Sequence, residues 1–112
     1  MKSKELNLLF LKRFPNLRKA FEDETEWQEG IDTGSTVVFE DVFMPYIIFC
    51  VENNLEDEIS NCFKFVEECV SSNDDYQKQV IEISIIDNIR SYDISEKLIS
   101  YLLPKSLASF NS

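Results

Sequence analysis

The side chains in this sequence that could carry out chemistry are carboxylates and thiols. The chain has 21 Asp and Glu residues, three Cys and no His. Paired carboxylates can bind Mg²⁺ or hydrolyse glycosides when they converge on one site. The clearest pair, Glu67 and Glu68, are sequence neighbours, so on a helix their side chains point roughly 100° apart. They do not form one site, and we predict that the chain is not an enzyme.

The residues that other reactions and cofactors need are also missing. Without His the chain lacks the commonest general base, metal ligand and activator of Ser or Cys nucleophiles. It contains only two glycines and no glycine-rich phosphate loop. Cys50, Cys62 and Cys69 are odd in number and form no C-x-x-C pair, which predicts reduced, buried thiols. We expect no catalytic residue, metal or cofactor.

Negative charge is the strongest signal in the composition. The net charge is -10 at pH 7. Residues 1–29 hold six basic and six acidic side chains, whereas residues 30–112 hold five basic and fifteen acidic ones, which is the whole excess. Nucleic-acid binding depends on Lys and Arg that meet phosphates, so direct contact with nucleic acid is not expected.

Two interpretations of the acids stay open at this point. Many begin predicted helices, where the helix dipole favours negative charge whatever the function. The alternative is a surface for a basic protein, because Lys64 is the only basic residue between Lys19 and Lys78. The candidate partner-binding residues are Glu40, Asp41, Glu52, Glu56, Glu58, Phe65, Glu67, Glu68, Asp74 and Asp75.

Phe65 is the one apolar candidate. It lies about 115° from the apolar stripe of its helix at roughly 100° per residue. Its helical neighbours include Glu58 and Glu68, so the ring is bordered by carboxylates as an interface anchor would be. The other interpretation is that Phe65 packs under a neighbouring helix.

Apolar periodicity predicts helices along almost the whole chain. The first covers Ser3–Phe14 and ends at Pro15, and a second extends from Asn16 to about Gln28 with Leu17, Ala20, Phe21 and Trp27 on one side. A loop at Glu29–Ser35 follows. Later helices begin at a cap Asn54, near Tyr76 and at a capping box Asp93–Glu96, and the last of them ends at Pro104.

Two stretches are ambiguous between helix and strand. In VVFEDVFMPYIIFCVENN (Val37–Asn54), Pro45 argues against a strand, and a helix capped by Asp41 would place Pro45 in its tolerant first turn. That helix would have Val42, Tyr46 and Phe49 at helical spacing. Val80–Ile86 is β-branched enough to permit a strand, but apolar residues on two sides favour a central helix.

The predicted fold class is all-α, with five to six antiparallel helices in a bundle or a short array of helical hairpins. The 112 residues are predicted to form one domain, 1–112. The amino-terminal apolar run is too short and too interrupted for a signal peptide, and no stretch is long enough to span a bilayer. We therefore expect a cytoplasmic location.

Three segments resemble a known family. LEDEISNCFKFVEECVSS followed by NDDYQKQVIEISIIDNI, after the apolar segment VVFEDVFMPYIIF, is similar to small acidic bacterial proteins described as a domain of unknown function. Some of these look like immunity proteins encoded beside contact-dependent or other polymorphic toxins. The resemblance covers about Thr36–Pro104 and implies an all-helical domain that binds and blocks a toxin, without catalytic residues.

The resemblance and the charge lead to the same expected function. We expect an immunity protein, or antitoxin, for a basic toxin with an RNase or DNase domain, acting by non-covalent blockade of the active site or of a neighbouring exosite. The rival is a helical scaffold or adaptor that self-associates through its Leu-rich and Phe-rich first helix, so a homo-oligomer is also considered.

Overall fold

A computed structural model describes all 112 residues, and every regular element in it is helical. Seven helices follow one another, with no strand. They are α1 (Ser3–Arg13), α2 (Arg18–Thr25), α3 (residues 35–52), α4 (Glu56–Val70), α5 (residues 75–86), α6 (Ser95–Tyr101) and α7 (Pro104–Phe110). The all-α class is confirmed, whereas the helices outnumber the five to six predicted. Their antiparallel arrangement stays a prediction.

The second predicted helix is shorter than expected. A 3₁₀ turn (Pro15–Leu17) precedes α2, and a second 3₁₀ turn (Gly30–Asp32) lies in the predicted loop. Trp27 lies beyond the end of α2, and 88% of its surface is exposed. The prediction that Trp27 shares an apolar side with Phe21 is therefore wrong, because the helix ends at Thr25.

Two helices contain a widened, π-helical turn. In α3 the turn Phe39–Phe43 joins α-helical Ser35–Val38 to α-helical Met44–Glu52, and in α5 the turn Glu82–Ile86 follows Asp75–Ile81. The two π-helical turns pack against each other. Val80–Ile86 is thus helical, and the strand alternative is wrong.

Pro45 lies inside α3 and not in a first turn. Helix α3 begins at Ser35, so Asp41 is not its cap. A proline ring in a regular helix meets the carbonyl group four residues earlier. Here the N–H of Met44 bonds to the Phe39 carbonyl, five residues back, so the helix is already widened just before Pro45. The prediction of a helix over this stretch is confirmed, but the reason it tolerates proline is a π-helical turn.

The turn between α3 and α4 depends on Asn54. This is the only residue other than glycine with positive φ, at 55°. The N–H of Leu55 bonds to Cys50 O, and that of Asn54 bonds to Val51 O, which is a Schellman ending for α3. Asn54 therefore ends α3 and does not cap α4 as predicted. The predicted capping box Asp93–Glu96 is also absent, because α6 begins at Ser95 without a side-chain cap.

Five phenylalanine rings form the centre of the core. They are Phe10, Phe14, Phe39, Phe43 and Phe65. Neighbouring ring centroids in this cluster lie 5.1–6.2 Å apart with tilted or edge-on geometry, which aromatic pairs prefer. The rings come from the region of α1, from the π-helical turn of α3 and from α4, so burial of one cluster joins these elements.

A buried amide fastens the loop before α3 to α1. Asn7 is fully buried, and its Nδ2 donates to Ile31 O at 2.9 Å and to Thr33 O at 2.7 Å. Its Oδ1 accepts from Ser35 Oγ at 2.8 Å. Every polar group of the Asn7 side chain therefore has a partner, as burial requires. This contact fixes where α3 begins.

None of the helices combines the length and the apolar character that a bilayer-spanning segment needs.

Candidate partner-binding surface

One side of α3 faces solvent between Asp41 and Glu52. Its exposed residues include Asp41, Pro45, Phe49 and Glu52, at intervals of three or four residues, which places them on one helix face. We call these four residues the α3 face. Phe49 is 53% exposed. The α3 face thus has an apolar centre with a carboxylate at each end.

Phe49 and Pro45 were not among the predicted binding residues. The sequence placed Phe49 on the same helical spacing as Val42, but Val42 is buried whereas Phe49 is exposed. The spacing of four residues from Asp41 to Pro45 and from Pro45 to Phe49 is the sequence feature that could have indicated this surface.

More carboxylates border each end of the α3 face. At one end, the carboxyl of Glu24 on α2 forms a side-chain hydrogen bond with Asp41, and exposed Glu40 is the preceding residue. That hydrogen bond, together with desolvation and the nearby Asp41 charge, raises the pKa of Glu24 above its ordinary value. At the other end, Glu52 and Glu56 flank the turn at Asn54, and both are exposed.

Few cations compensate these acids. The molecule contains three ion pairs, Arg13–Glu68, Lys19–Asp23 and the amino-terminal amine with Asp74. None of them includes a residue of the α3 face. The carboxylates of this surface are therefore available for ionic contacts with another molecule.

Four other predicted binding residues make contacts within the protein. The simplest case is Glu58, whose Oε2 accepts from the Tyr46 hydroxyl at 2.6 Å. The Tyr46 hydroxyl also accepts a hydrogen bond from Asn16 at 3.0 Å. Burial and the bond to Glu58 both raise the pKa of Tyr46. Glu58 thus links α4 to α3 and is only partly exposed.

Glu67 caps the last helix. Its carboxylate accepts from Lys105 N at 3.0 Å, Ser106 N at 2.8 Å and Ser106 Oγ at 2.7 Å. These are first-turn groups of α7 that have no partner within the helix. Burial alone would raise the pKa of Glu67, but these hydrogen bonds outweigh it and lower the pKa. Glu67 therefore links α4 to α7 through hydrogen bonds.

Glu68 belongs to a polar clamp between α4 and α1. Arg13 Nη1 donates to Glu68 Oε2 at 2.6 Å, and Arg13 Nε donates to Asn61 Oδ1 at 2.6 Å. The guanidinium carbon also lies 5.6 Å from the Phe65 ring centroid. Glu68 is thus already paired with a cation.

The two predicted aspartates at α5 differ from each other. Asp74 is the N-cap of α5, since its Oδ1 accepts from Gln77 N at 2.9 Å. Its Oδ2 lies 2.8 Å from the amino-terminal amine of Met1. The bond to that amine, with the bond from Gln77, lowers the pKa of Asp74. Asp75 is exposed in the first turn of the helix.

Phe65 cannot serve as the exposed anchor that its carboxylate neighbours predicted. Only 2% of its surface is exposed, and its ring contacts four other phenylalanines of the core cluster. The alternative, packing under a neighbouring helix, is correct. Helix α4 is buried on more than one side because it contacts α3, α5, α6 and α7.

The groups on the α3 face can form non-covalent contacts, whereas the thiols of the protein are buried. All three cysteines are free and buried. Burial raises the pKa of each thiol, to about 11 for Cys69, so none is a thiolate at neutral pH. No three Cys, Asp or Glu side chains converge as a metal site would require. The α3 face offers carboxylates and an apolar centre, which can form ion pairs and a desolvated contact.

Comparison with known proteins identifies a family for this chain. Searches against curated proteins and against solved structures found no significant match. A family model described as Domain of unknown function (DUF7674) matches residues 7–111, which include all of the α3 face. Because this match covers almost the entire sequence, the chain belongs to the DUF7674 family.

Proposed function

We propose that the protein is an immunity protein that binds and neutralises a basic cognate toxin. The toxin is of the RNase or DNase class used in contact-dependent growth inhibition, and the block is non-covalent. The main support for this proposal is the α3 face, in which exposed Pro45 and Phe49 lie between the carboxylates of Asp41 and Glu52, neither of which forms an ion pair within the protein. Stable interfaces commonly place an aromatic anchor inside a polar rim.

Charge supports the basic partner. With a net charge of -10 and few internal ion pairs, the molecule attracts cations over a distance of about a Debye length, roughly 10 Å at 0.1 M salt. Enzymes that act on nucleic acids have basic surfaces because their substrates are polyanions. Electrostatic steering would give such an inhibitor rapid capture of its target.

The test uses the product of the reading frame beside this one in the native host. We expect the two purified proteins to form a complex whose affinity falls as salt rises, and co-expression to restore growth of cells that make the toxin. Asp41→Lys with Glu52→Lys reverses both ends of the α3 face. We expect this double variant to lose at least about 100-fold in affinity, since like charges across an interface cost several kcal/mol.

The control is a second double variant with the same change in net charge. Asp87→Lys reverses the charge of an exposed acid just after α5, and Glu96→Lys reverses that of an exposed acid on α6. Together they should weaken binding only slightly. Equal loss in both variants would show that net charge, and not the α3 face, governs binding. The absence of any complex or protection would reject the immunity function.

A self-associating scaffold is the second candidate, because of two exposed leucines on α1. Leu8 and Leu9 are 47% and 38% exposed, and Leu9 lines a groove of about 370 Å³ with Lys12, Arg13, Phe65, Glu68 and Gln77. This candidate predicts a concentration-dependent dimer in sedimentation equilibrium that Leu9→Glu abolishes. Phe10→Glu is no test, because Phe10 is fully buried and its replacement would disrupt the core.

A further inference from the structure

Trp27 is the only tryptophan of the chain and its most exposed large apolar side chain, at 88%. It lies in the turn that follows α2, where Gln28 N donates to Thr25 O. No aromatic ring of the protein stacks on it, and neither of the two internal arginine–ring contacts includes it. Tryptophan is strongly enriched at the centres of protein interfaces, so an indole exposed to this extent marks a contact surface.

The surroundings of Trp27 are anionic. The segment from Glu22 to Glu29 contains five acidic residues and no basic one. Glu24 and Glu26 are the acids nearest to Trp27 before it in the chain, and both are exposed. The carboxyl of Glu24 in turn lies beside that of Asp41, so the acidic segment that contains Trp27 adjoins one end of the α3 face.

These carboxylates decide which kind of partner fits. An apolar pocket that covered the indole would also remove neighbouring carboxylates such as Glu24 and Glu26 from water without a counter-charge, which is costly. A cation satisfies both features, because its charge pairs with the carboxylates while it lies over the ring. Arginine fits better than lysine, since its planar and weakly hydrated guanidinium stacks on aromatic rings and can bridge two carboxylates.

We propose that Trp27 is the anchor for an arginine side chain of the basic partner, with the neighbouring carboxylates Glu24 and Glu26 as its counter-ions. The inference rests on the proposed function, which supplies the basic partner, and it specifies the residue and the chemistry at one point of contact. The resulting contact would be a guanidinium stacked on the indole beside two carboxylates.

The test uses the full chain with two defined peptides, hexaarginine and hexalysine, each with a fluorescent label. Their dissociation constants are measured by anisotropy at low salt for the unchanged protein and for Trp27→Ala, Trp27→Phe and Ile83→Ala. Ile83 is a matched control because it is 44% exposed on α5. We expect Trp27→Ala to weaken hexaarginine binding about tenfold, which corresponds to one desolvated cation–π contact. Hexalysine should lose much less, Trp27→Phe should keep part of the affinity, and Ile83→Ala should change neither peptide.

The outcomes separate this inference from the proposed function. If Asp41→Lys with Glu52→Lys weakens binding of both peptides while Trp27→Ala binds hexaarginine like the unchanged protein, the acidic surface stands and the anchor is rejected. Equal losses for hexaarginine and hexalysine on Trp27→Ala would reject the arginine preference. If the unchanged protein binds neither peptide, the anchor is rejected, whereas the immunity function is still decided by the complex with the product of the neighbouring reading frame. Thermal unfolding followed by circular dichroism checks that each variant is folded.

Discussion

At the scale of single residues, carboxylates that look alike in the sequence have different uses in the molecule. Glu67 accepts three hydrogen bonds from α7, whereas its neighbour Glu68 forms one partly exposed ion pair with Arg13. Glu52 has neither kind of partner. Sequence position could not distinguish them, because each difference depends on which distant helix the carboxylate reaches.

Replacing Glu67 by Ala should destabilise the fold by about 1–3 kcal/mol, because the N–H groups of Lys105 and Ser106 lose a charged acceptor. Urea unfolding would measure this loss. Glu68→Ala is the matched control and should cost at most about 1 kcal/mol, as expected for an exposed ion pair. A Glu67→Ala variant as stable as the unchanged protein would contradict the capping role.

The same carboxylate predicts a dependence of stability on pH. The pKa of Glu67 is lower in the folded protein than its ordinary value of 4.5. The stabilisation is therefore complete above pH 4.5 and is lost as the pH falls through the lower, folded-state pKa. The difference in unfolding free energy between the unchanged protein and Glu67→Gln should shrink over that acidic range. A difference in unfolding free energy that grew towards low pH would contradict a lowered pKa of Glu67 in the folded protein.

Glu24 should behave in the opposite way. Its pKa is raised by the hydrogen bond to Asp41, so the favourable interaction of the protonated form is present below pH 4.5 and is lost as the pH rises through the folded-state pKa. Glu24→Gln keeps a hydrogen-bond donor without the charge. We expect Glu24→Gln to have a higher melting temperature than the unchanged protein at pH 7. Below pH 4.5 the two melting temperatures should be equal. An advantage of Glu24→Gln that was equal at both ends of this pH range would contradict a role for the contact with Asp41.

At the scale of elements, sequence pattern predicted where most helices lie but not how they are built. Pro15 follows α1 as predicted, and one apolar stripe predicts α4, but Pro104, predicted to end the last helix, instead begins α7, which was not predicted. The π-helical turns were missed because each widens a helix without interrupting its apolar character. Phe65 was misassigned for a related reason, since a helix with several neighbours buries more than one stripe.

Asn54 offers a direct test of the turn between α3 and α4. Its φ of 55° is accessible to Gly and Asn but costs other residues roughly 1 kcal/mol or more. Asn54→Ala should therefore lower the free energy of unfolding by about 1 kcal/mol, while Asn54→Gly should leave it nearly unchanged. Chemical denaturation of both variants would compare them. If Asn54→Gly were as destabilised as Asn54→Ala, the amide side chain and not the backbone conformation would be responsible.

At the scale of the whole molecule, the uneven distribution of charge was evident from the sequence, but the position of the α3 face was not. Of the ten predicted binding residues, Glu40, Asp41, Glu52, Glu56, Glu68 and Asp75 are exposed, and of these only Glu68 forms an ion pair. The aromatic residues beside them, Phe49 and Trp27, could be found only from their exposure. Charge is a property of composition, whereas exposure of an aromatic ring depends on where helices end and how they pack.

The charge should also affect stability. A net charge of -10 at pH 7 creates self-repulsion in the folded state that added salt screens. We expect the melting temperature to rise by about 4 °C, which corresponds to about 1 kcal/mol for a domain of this size, between 10 mM and 200 mM NaCl. Asp87→Lys with Glu96→Lys should show a smaller rise, because it carries less excess charge. A melting temperature that fell with salt would indicate that attractive ion pairs dominate.

The burial of the three cysteines has a consequence for recovery after denaturation. In the native molecule Cys50, Cys62 and Cys69 are protected from oxidants and alkylating reagents by the surrounding core. Unfolding releases all three at once, and an odd number of thiols leaves at least one without an internal partner for a disulfide. Refolding from a concentrated denatured solution without reductant should therefore yield covalent dimers and aggregates, although the folded protein is insensitive to the same oxidant.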